Sequence, residues 1–306
     1  MAALIQKLTP KKRWRMTLRT RRAMWGYIFI IPAMIYIIVW VILPLIFAFG
    51  LSFTNYDTAT ADFVGLNNYL EILRQPDTLD VIKNTLRFGL ELIALNMAIS
   101  LFLAILVDQK LRGITFFRTV YYLPVLTSLV VAGIVWSALY DYRTGPINSI
   151  LNFFGIASQQ WLHDSSLALT SVVFVRVWKG VGFNMMVFLA GLQAIPTELY
   201  EAASIDGARA WEKFRYITFP MLMPTTFYIF VMASISAFQV FGEIFVMTKG
   251  GPAGATKTLI FLIWEQAFQY SNLGYASALA FILLLLVGAI AIFNLVYVNR
   301  FVNYDR

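Results

Sequence analysis

Cysteine, histidine and charge are all scarce in this sequence of 306 residues. There is no cysteine, which excludes disulfides, thiolate metal sites and a cysteine nucleophile. His163 is the only histidine, so the sequence offers no histidine-based catalytic triad and no histidine cluster for a metal, and we predict neither a catalytic nor a metal site. Charged residues make up 13% of the chain, whereas a soluble domain has about 25%. A chain with so little charge cannot cover a water-facing surface.

Apolar residues take the place of the missing charge and make up 59% of the sequence. They are concentrated in six runs, each long enough for the roughly 20 residues that a helix needs to cross a bilayer. The runs lack the alternation of a barrel strand, which favours helices. The predicted spans are residues 25–53, 84–107, 119–140, 167–192, 217–247 and 275–298. The sequence therefore predicts an all-α polytopic membrane protein with six transmembrane helices.

Basic residues predict the orientation, because cytoplasmic loops carry an excess of Lys and Arg. Eight of the 24 Lys and Arg lie between Lys7 and Arg22, so the net charge of +8 indicates topology and a lipid surface rather than nucleic acid. With the N-terminus inside, the inside segments hold 16 basic residues and the outside loops 5. We predict both termini inside. A basic segment 1–24 precedes a single membrane domain 25–298, and a cytoplasmic tail 299–306 follows it.

The connection after the fourth span, residues 193–219, is much longer than the few residues that joining two helices requires. Pro196 ends the incoming helix, and Thr197 offers an N-cap for a short helix. Gly207 then interrupts that helix, and a second short helix can follow before Pro220. The loop is patterned like a structural element of its own.

This loop resembles the EAA loop of the membrane subunits of ABC importers. The residues that carry the resemblance are, in chain order, Glu201, Ala202, Ala203, Gly207, Ile217 and Pro220. Together with Asp206 they are the residues that we predict to couple this chain to an ATPase. Phe219 replaces the leucine that is usual in the family, and both are bulky and apolar. The segments WKGVGF at 178–183, MTKGGP at 247–252 and FQYSNLGYA at 268–276 resemble the carbohydrate branch of the same family, and the maltose-type permease subunits most of all.

The resemblance implies the type I ABC importer permease fold, with a cytoplasmic coupling helix that docks into an ATPase. It implies a second homologous permease, two ATPase subunits that bind ATP and Mg, an extracytoplasmic sugar-binding protein, and a location in the bacterial plasma membrane. This chain would then bind no cofactor, would not be an enzyme, and would move a sugar or oligosaccharide by alternating access. From the residues alone, an amphipathic helix lying on the bilayer is the alternative for the loop.

Four polar residues inside the predicted spans are candidates for a substrate path. Ser236, Gln239 and Glu243 lie at i, i+3 and i+7 of the fifth span, hence on one face of an unbroken helix, and Asn184 lies in the fourth span. Hydroxyl and amide groups beside aromatic rings suit a sugar, which needs hydrogen bonds and ring faces for stacking. Hydrogen bonding between helices is the alternative.

Two basic residues also lie within the fourth span, Arg176 and Lys179 at i, i+3. An ion pair with Glu243 or with the partner subunit is the favoured interpretation, because charge inside a membrane is normally paired. The alternative is a positive field that receives an anionic substrate, such as glycerol phosphate or an acidic glycan.

Glycine and proline mark an outside loop at Gly250, Gly251 and Pro252, which we expect to be exposed and able to contact the binding protein, although an ordinary connector fits equally well. Residues 251–258 nearly imitate a phosphate-binding loop, but Thr256 replaces the second glycine and no strand precedes it, so no nucleotide site is predicted.

A secondary transporter is the remaining alternative to an ABC importer subunit. It would need an ion-coupling site of its own and would leave the EAA-like loop unexplained.

Overall fold

In a computed structural model, the chain is described over residues 17–57, 60–109 and 111–301. It divides into two compact units, Met1–Gly50 and Leu51–Arg306. Most of the predicted basic segment, residues 1–16, and the end of the predicted tail, residues 302–306, lie outside the described residues.

The described part of the first unit is one apolar helical run. It consists of α1 Leu18–Ile37, a π-helical turn Ile38–Ile42 and α2 Leu43–Leu51, of which only the last residue falls in the second unit. The helix begins earlier than the predicted span, because the Thr17 hydroxyl accepts the Thr20 N–H at 3.2 Å and caps it. Residues 18–24, predicted as part of the basic segment, are therefore helical. The π-helical turn is followed by Leu43 and then Pro44, which has no N–H for the usual bond to the carbonyl four residues earlier.

The second unit begins with an antiparallel hairpin of β1 Thr54–Tyr56 and β2 Ala61–Phe63. The all-α prediction missed these six residues, which are too short to show a strand pattern. The remaining elements, in chain order, are α3 Asn67–Arg74, α4 Pro76–Val107, α5 Ile114–Leu126, α6 Leu129–Leu139, α7 Pro146–Phe153, α8 Ala168–Gln193, α9 Thr197–Ile205, α10 Ala210–Lys213, a π-helical turn Phe214–Thr218, α11 Phe219–Met221, α12 Met223–Phe238, α13 Gly242–Met247, α14 Leu259–Trp264, a π-helical turn Glu265–Gln269 and α15 Leu273–Phe301.

Four helices in the described part of the chain are long and apolar enough to cross a membrane. They are Leu18–Leu51, Pro76–Val107, Ala168–Gln193 and Leu273–Asn294. Two bent pairs bring the number to six if each pair is one span: α5 with α6, bent by 102°, and Ala210–Met221 with α12, bent by 63°. The predicted apolar runs therefore coincide with helices, but the third and fifth are not continuous.

The break in the third run lies at Thr127 and Ser128, whose ψ angles of 145° and 139° are extended. Pro124 stands in the last turn of α5 and supplies no backbone N–H. The Thr127 hydroxyl donates to the Pro124 carbonyl at 2.7 Å and so closes the end of the helix. The local sequence therefore ends α5 at Leu126 and leaves two residues between it and α6.

Besides the bend between Met221 and Met223, the fifth run breaks a second time, between Phe238, the last residue of α12, and Gly242, the first of α13. At the start of α13, a Cβ on Gly242 would lie 2.5 Å from Cδ2 of Leu129 on α6. One turn further along α6, a Cβ on Gly133 would lie 3.0 Å from Cγ1 of Val246. The two glycines allow α6 and α13 to pack directly on each other. The second halves of the two broken runs thus form a pair.

Helices α4 and α8 carry the largest hydrophobic core, to which Phe88 and Leu92 contribute from α4 and Val172 from α8. On its other side α8 approaches α5 at Gly182, where a Cβ would lie 2.1 Å from the Tyr121 carbonyl oxygen. Glycine in the WKGVGF segment is therefore required by close backbone packing.

We expect Gly182→Ala to lower the midpoint of thermal unfolding in detergent by several degrees. The added methyl group meets backbone atoms that cannot rotate away, and overpacking of this kind costs about 1–3 kcal/mol. The matched control is Gly288→Ala on α15, where a Cβ would meet no atom of the described part of the chain within 4 Å. Equal midpoints for the two variants would contradict the close packing of α5 on α8.

Candidate functional site

A cavity of about 300 Å³ lies between α4, α5, α8 and α12. Its polar lining residues are Asn96, Arg176, Lys179, Asn184 and Ser236. Phe183 and Met232 also line it and are 45% and 47% exposed. Amide, hydroxyl and cationic groups therefore share one pocket with an accessible aromatic ring.

Arg176 forms the ion pair with Glu243 that was favoured from the sequence. Its Nη1 lies 2.8 Å from Glu243 Oε1, and its Nη2 donates to Ser236 Oγ at 2.7 Å. Glu243 is only 2% exposed, so its charge depends on this partner. The prediction that this arginine is internally paired is confirmed.

The prediction that Ser236, Gln239 and Glu243 lie on one face of an unbroken helix is wrong. Helix α12 ends at Phe238, and Gln239 is an exposed residue of the break that does not line the cavity. Ser236 and Glu243 come together only because Arg176 bonds to both of them. Of the three, Ser236 alone faces the cavity.

Asn184 lines the cavity and donates a hydrogen bond from Nδ2 to Oδ1 of Asn96 on α4. Asn96 is 4% exposed, and its side chain lies 3.2 Å from the position that a Cβ on Gly180 would take. Asn96 was not predicted from the sequence as a site residue. The available signal was an amide inside an apolar span, which is costly there unless it has a partner.

Lys179 forms no ion pair within the described residues. Its ammonium group donates instead to the carbonyl oxygens of Val125 at 3.2 Å and Thr127 at 2.7 Å. Both carbonyls belong to the end of α5, so the lysine joins α8 to the break in the third run.

The loop 193–219 contains the predicted short helix, α9. Its end forms a Schellman motif, in which Ala208 N–H donates to Ala203 O at 2.8 Å and Gly207 N–H to Ser204 O at 3.2 Å. Gly207 has φ +78°, which glycine adopts without strain. The predicted N-cap was wrong by one residue: Pro196 occupies the cap position and Thr197 is already helical.

Helix α9 is tied to the chain that leads into α12. The hydroxyl groups of Tyr200 and Thr218 are 2.9 Å apart, and Lys213 Nζ donates to Ser204 Oγ at 2.6 Å. Ile217 packs against the buried cluster of α4 and α8. These contacts fix α9 to its neighbours as one body.

The outer face of this loop combines apolar and acidic side chains. Ile205 is 87% exposed and Leu199 is 41% exposed. Of the predicted coupling residues, Glu201, Ala202, Asp206, Gly207 and Pro220 are exposed, and Ala203 and Ile217 are half-buried. Within the described residues the Glu201 carboxylate has no hydrogen bond or ion pair. The face is suited to contact another protein.

The segment around Gly250, Gly251 and Pro252 is less exposed than predicted. Gly250 is buried, because a Cβ there would lie 2.8 Å from Cγ of Lys257, and Gly251 and Pro252 are half-buried. The sequence analysis missed α14, which follows directly and packs its apolar side chains into a third core.

Several long apolar helices, two of them broken beside a polar cavity, define this chain as a membrane protein of the transport-permease class. Residues 15–302 match a family described as the binding-protein-dependent transport system inner membrane component. The chain belongs to this family and is a multi-pass membrane protein, so the resemblance noted from the EAA-like loop is confirmed.

Individual relatives cover nearly the whole chain. The sn-glycerol-3-phosphate transport system permease protein UgpA of Agrobacterium fabrum is 38% identical over 258 residues, which are 84% of this chain and 85% of that protein. The trehalose/maltose transport system permease protein MalF of Thermococcus litoralis is 35% identical over 291 residues, which are 93% of this chain and 96% of that protein. A chain in the crystal structure of a bacterial alginate ABC transporter, in complex with an alginate pentasaccharide-bound periplasmic protein, has the same fold, with a TM-score of 0.81 at 21% identity over 92% of this chain and 96% of that chain.

Proposed function

We propose that this chain is one of two membrane subunits of an ABC importer that moves a sugar or oligosaccharide from an extracytoplasmic binding protein into the cytoplasm. ATP and Mg are bound by two partner ATPases, and a second, homologous permease completes the path. The observation that carries the proposal is that one continuous helix, α8, lines the polar cavity and leads directly into the exposed helix α9. Movement imposed on α9 therefore reaches the cavity through a rigid element.

The cavity supports a saccharide as substrate. The amide groups of Asn96 and Asn184 and the hydroxyl of Ser236 provide hydrogen bonds, and Phe183 provides a ring face. The relatives are named for the transport of sn-glycerol-3-phosphate and of trehalose and maltose, and the solved alginate transporter is described as importing an acidic polysaccharide. Gln239 and Glu243 do not line this cavity, so we retain Asn184 and Ser236 as the contacts of this subunit.

An anionic saccharide is the second candidate, and one observation favours it. Lys179 lines the cavity and has no carboxylate partner in the described ranges, so the cavity keeps a net positive charge after Arg176 and Glu243 pair. Titrating the cognate binding protein with matched neutral and uronic-acid oligosaccharides separates the two candidates. Tight binding of the neutral series alone would exclude the anionic substrate, and tight binding of the acidic series alone would exclude the neutral one.

The exposed face of α9 supports docking into an ATPase. Three carboxylates, Glu198, Glu201 and Asp206, stand beside exposed Leu199 and Ile205. An amphipathic helix on an anionic leaflet would instead carry basic residues on this face. We therefore propose that this loop docks into a groove on another protein.

The segment at Gly250, Gly251 and Pro252 remains a candidate contact for the binding protein. Gly250 is buried, but Gly251 and Pro252 are half-buried and the next residue, Ala253, is exposed.

We propose six spans with both termini in the cytoplasm, each bent pair crossing once. The absence of native cysteine allows a direct test with single cysteines and an impermeant thiol reagent. Exposed Asn67→Cys and Ala253→Cys should react in spheroplasts, whereas exposed Ala194→Cys, at the end of α8, should react only after lysis. The reverse labelling pattern would overturn the orientation, and equal labelling of all three before lysis would overturn the span count.

Co-purification separates the importer from a secondary transporter. Tagged full-length chain, extracted from its native membrane in mild detergent, should bring down a homologous permease and two copies of an ATPase. A chain that purifies alone and carries out ion-gradient-driven uptake after reconstitution would contradict the proposal.

A further inference from the structure

Two cations on α8, one helical turn apart, each contact the break in a discontinuous helix. Lys179 bonds to the end of α5, directly before α6 begins. Arg176 bonds to Ser236 at the end of α12 and to Glu243 at the start of α13. Both breaks adjoin the cavity, which these same cations line.

Lys179 acts as a cap supplied by a neighbouring helix. The last carbonyl groups of a helix have no partner within it. At the end of α5 the Thr127 hydroxyl donates to the Pro124 carbonyl. The Lys179 ammonium group donates to the carbonyls of Val125 and Thr127. A cation is also favoured at a helix C-terminus by the helix dipole. The ammonium group thus has a specific partner at the break, and no anionic substrate is needed to account for it.

Arg176 bridges the other break. The guanidinium group holds a hydroxyl on one side and a carboxylate on the other, and Glu243 has only 3% of its side chain exposed. Because the planar fork of arginine fixes the direction of both bonds, it restrains the angle between α12 and α13. A lysine could not donate along two fixed directions in the same way.

The segments beyond the breaks also contact each other. Helices α6 and α13 pack through Gly133 and Gly242, with Val246 and Leu129 as the opposing side chains. Helix α8 is therefore bonded to α13 through Arg176 and, through Lys179, to the break that precedes α6, and the chain continues from its C-terminal end into α9.

We propose that Arg176 and Lys179 are positioning residues that attach both helix breaks to α8, so that movement of α9 changes the position of α6 and α13 at the cavity. The inference rests on the proposed importer function. It assigns the two cations to transmission of movement and not to recognition of substrate charge.

The test uses the assembled complex of both permeases and both ATPases, carrying Lys179→Gln, Lys179→Arg or Arg176→Gln in this chain. Sugar transport and ATP hydrolysis are measured with and without loaded binding protein. We expect Lys179→Gln and Arg176→Gln to reduce transport of every substrate at least tenfold, with normal assembly and with hydrolysis that no longer responds to the binding protein. Lys179→Arg should keep the response of ATP hydrolysis to the binding protein, because a guanidinium group can donate to both carbonyls.

The matched control is Arg87→Gln. Arg87 also forms an ion pair with Glu91 at 2.7 Å and bonds to Thr170 of α8 at 3.0 Å, but it contacts neither break. The Arg87→Gln complex should keep sugar transport and the stimulation of ATP hydrolysis within about twofold of the wild type, as expected for a partly exposed ion pair.

Each other outcome contradicts the inference. Loss of transport for an acidic substrate alone would make Lys179 a residue for substrate charge. Failure of the Gln variants to assemble would make the contacts merely structural, and a response equal to the wild type would remove any role. If the wild-type complex itself shows no stimulation by loaded binding protein, the proposed function fails and the transmission role fails with it.

Discussion

Gly207→Val is expected to abolish transport while the protein still inserts and accumulates normally. Gly207 has φ +78°, and a side chain in the left-handed region costs roughly 1–2 kcal/mol, more for a β-branched residue. Among the described residues, apart from the two chain neighbours, no atom lies within 4 Å of the position a Cβ would occupy, so the Cβ itself meets open space. The strain instead acts on the two backbone bonds that end α9, which set how this helix is presented to the ATPase.

The matched control is Gly207→Asn, since asparagine tolerates the left-handed conformation and often replaces glycine at this position of a helix end. Purified complexes are compared for subunit stoichiometry and for ATP hydrolysis with loaded binding protein. We expect Gly207→Val to lose stimulation and Gly207→Asn to keep most of it. Wild-type stimulation in Gly207→Val would show that the end of α9 has no part in coupling.

Glu201→Lys is expected to weaken association with the ATPase by at least tenfold. Glu201 is exposed and has no bonding partner in the described part of the chain, so the change should alter the stability of this subunit by no more than about 0.5 kcal/mol. An effect on assembly therefore has to arise at the surface that α9 meets, where reversing a charge turns a favourable contact into a repulsive one.

The control for charge is Glu201→Gln, which keeps the shape of the side chain. It changes the charge by one unit, whereas Glu201→Lys changes it by two. Retention of the ATPase is measured as its ratio to permease after washing at low and high salt. We expect the order wild type, Glu201→Gln, Glu201→Lys, with smaller differences at high salt because of screening. Equal retention of all three at low salt would remove Glu201 from the interface.

The sequence predicted the apolar runs and the coupling loop because both have local signatures. Hydropathy marks a span, and Pro196 and Gly207 mark the ends of a short helix. The Arg176–Glu243 pair was also predictable, since a buried charge requires a partner. These features depend on residue type more than on tertiary packing.

The breaks were not predictable in the same way. Thr127 and Ser128 interrupt an apolar run for only two residues, too few to change its mean hydropathy. The break after Phe238 contains no proline or glycine before Gly242, and it depends on the packing of α13 against α6. Because this break was not predicted, Gln239 was placed on the same helix face as Ser236 and Glu243.

Tertiary contacts account for the other misses. Asn96 is an isolated amide whose partner, Asn184, lies 88 residues further along the chain. Gly250 looked like part of an exposed loop, but Lys257 and Phe261 cover it, and α14 was not recognised because it is only six residues long.

The most direct test of the account is ATP hydrolysis by the purified complex in lipid nanodiscs, measured with no binding protein, with sugar-free binding protein and with sugar-loaded binding protein. The account predicts that loaded binding protein raises the rate severalfold and that the same complex in proteoliposomes takes up sugar only when ATP is supplied on the α9 side. Sugar uptake that needs no ATP and follows an imposed ion gradient would contradict it.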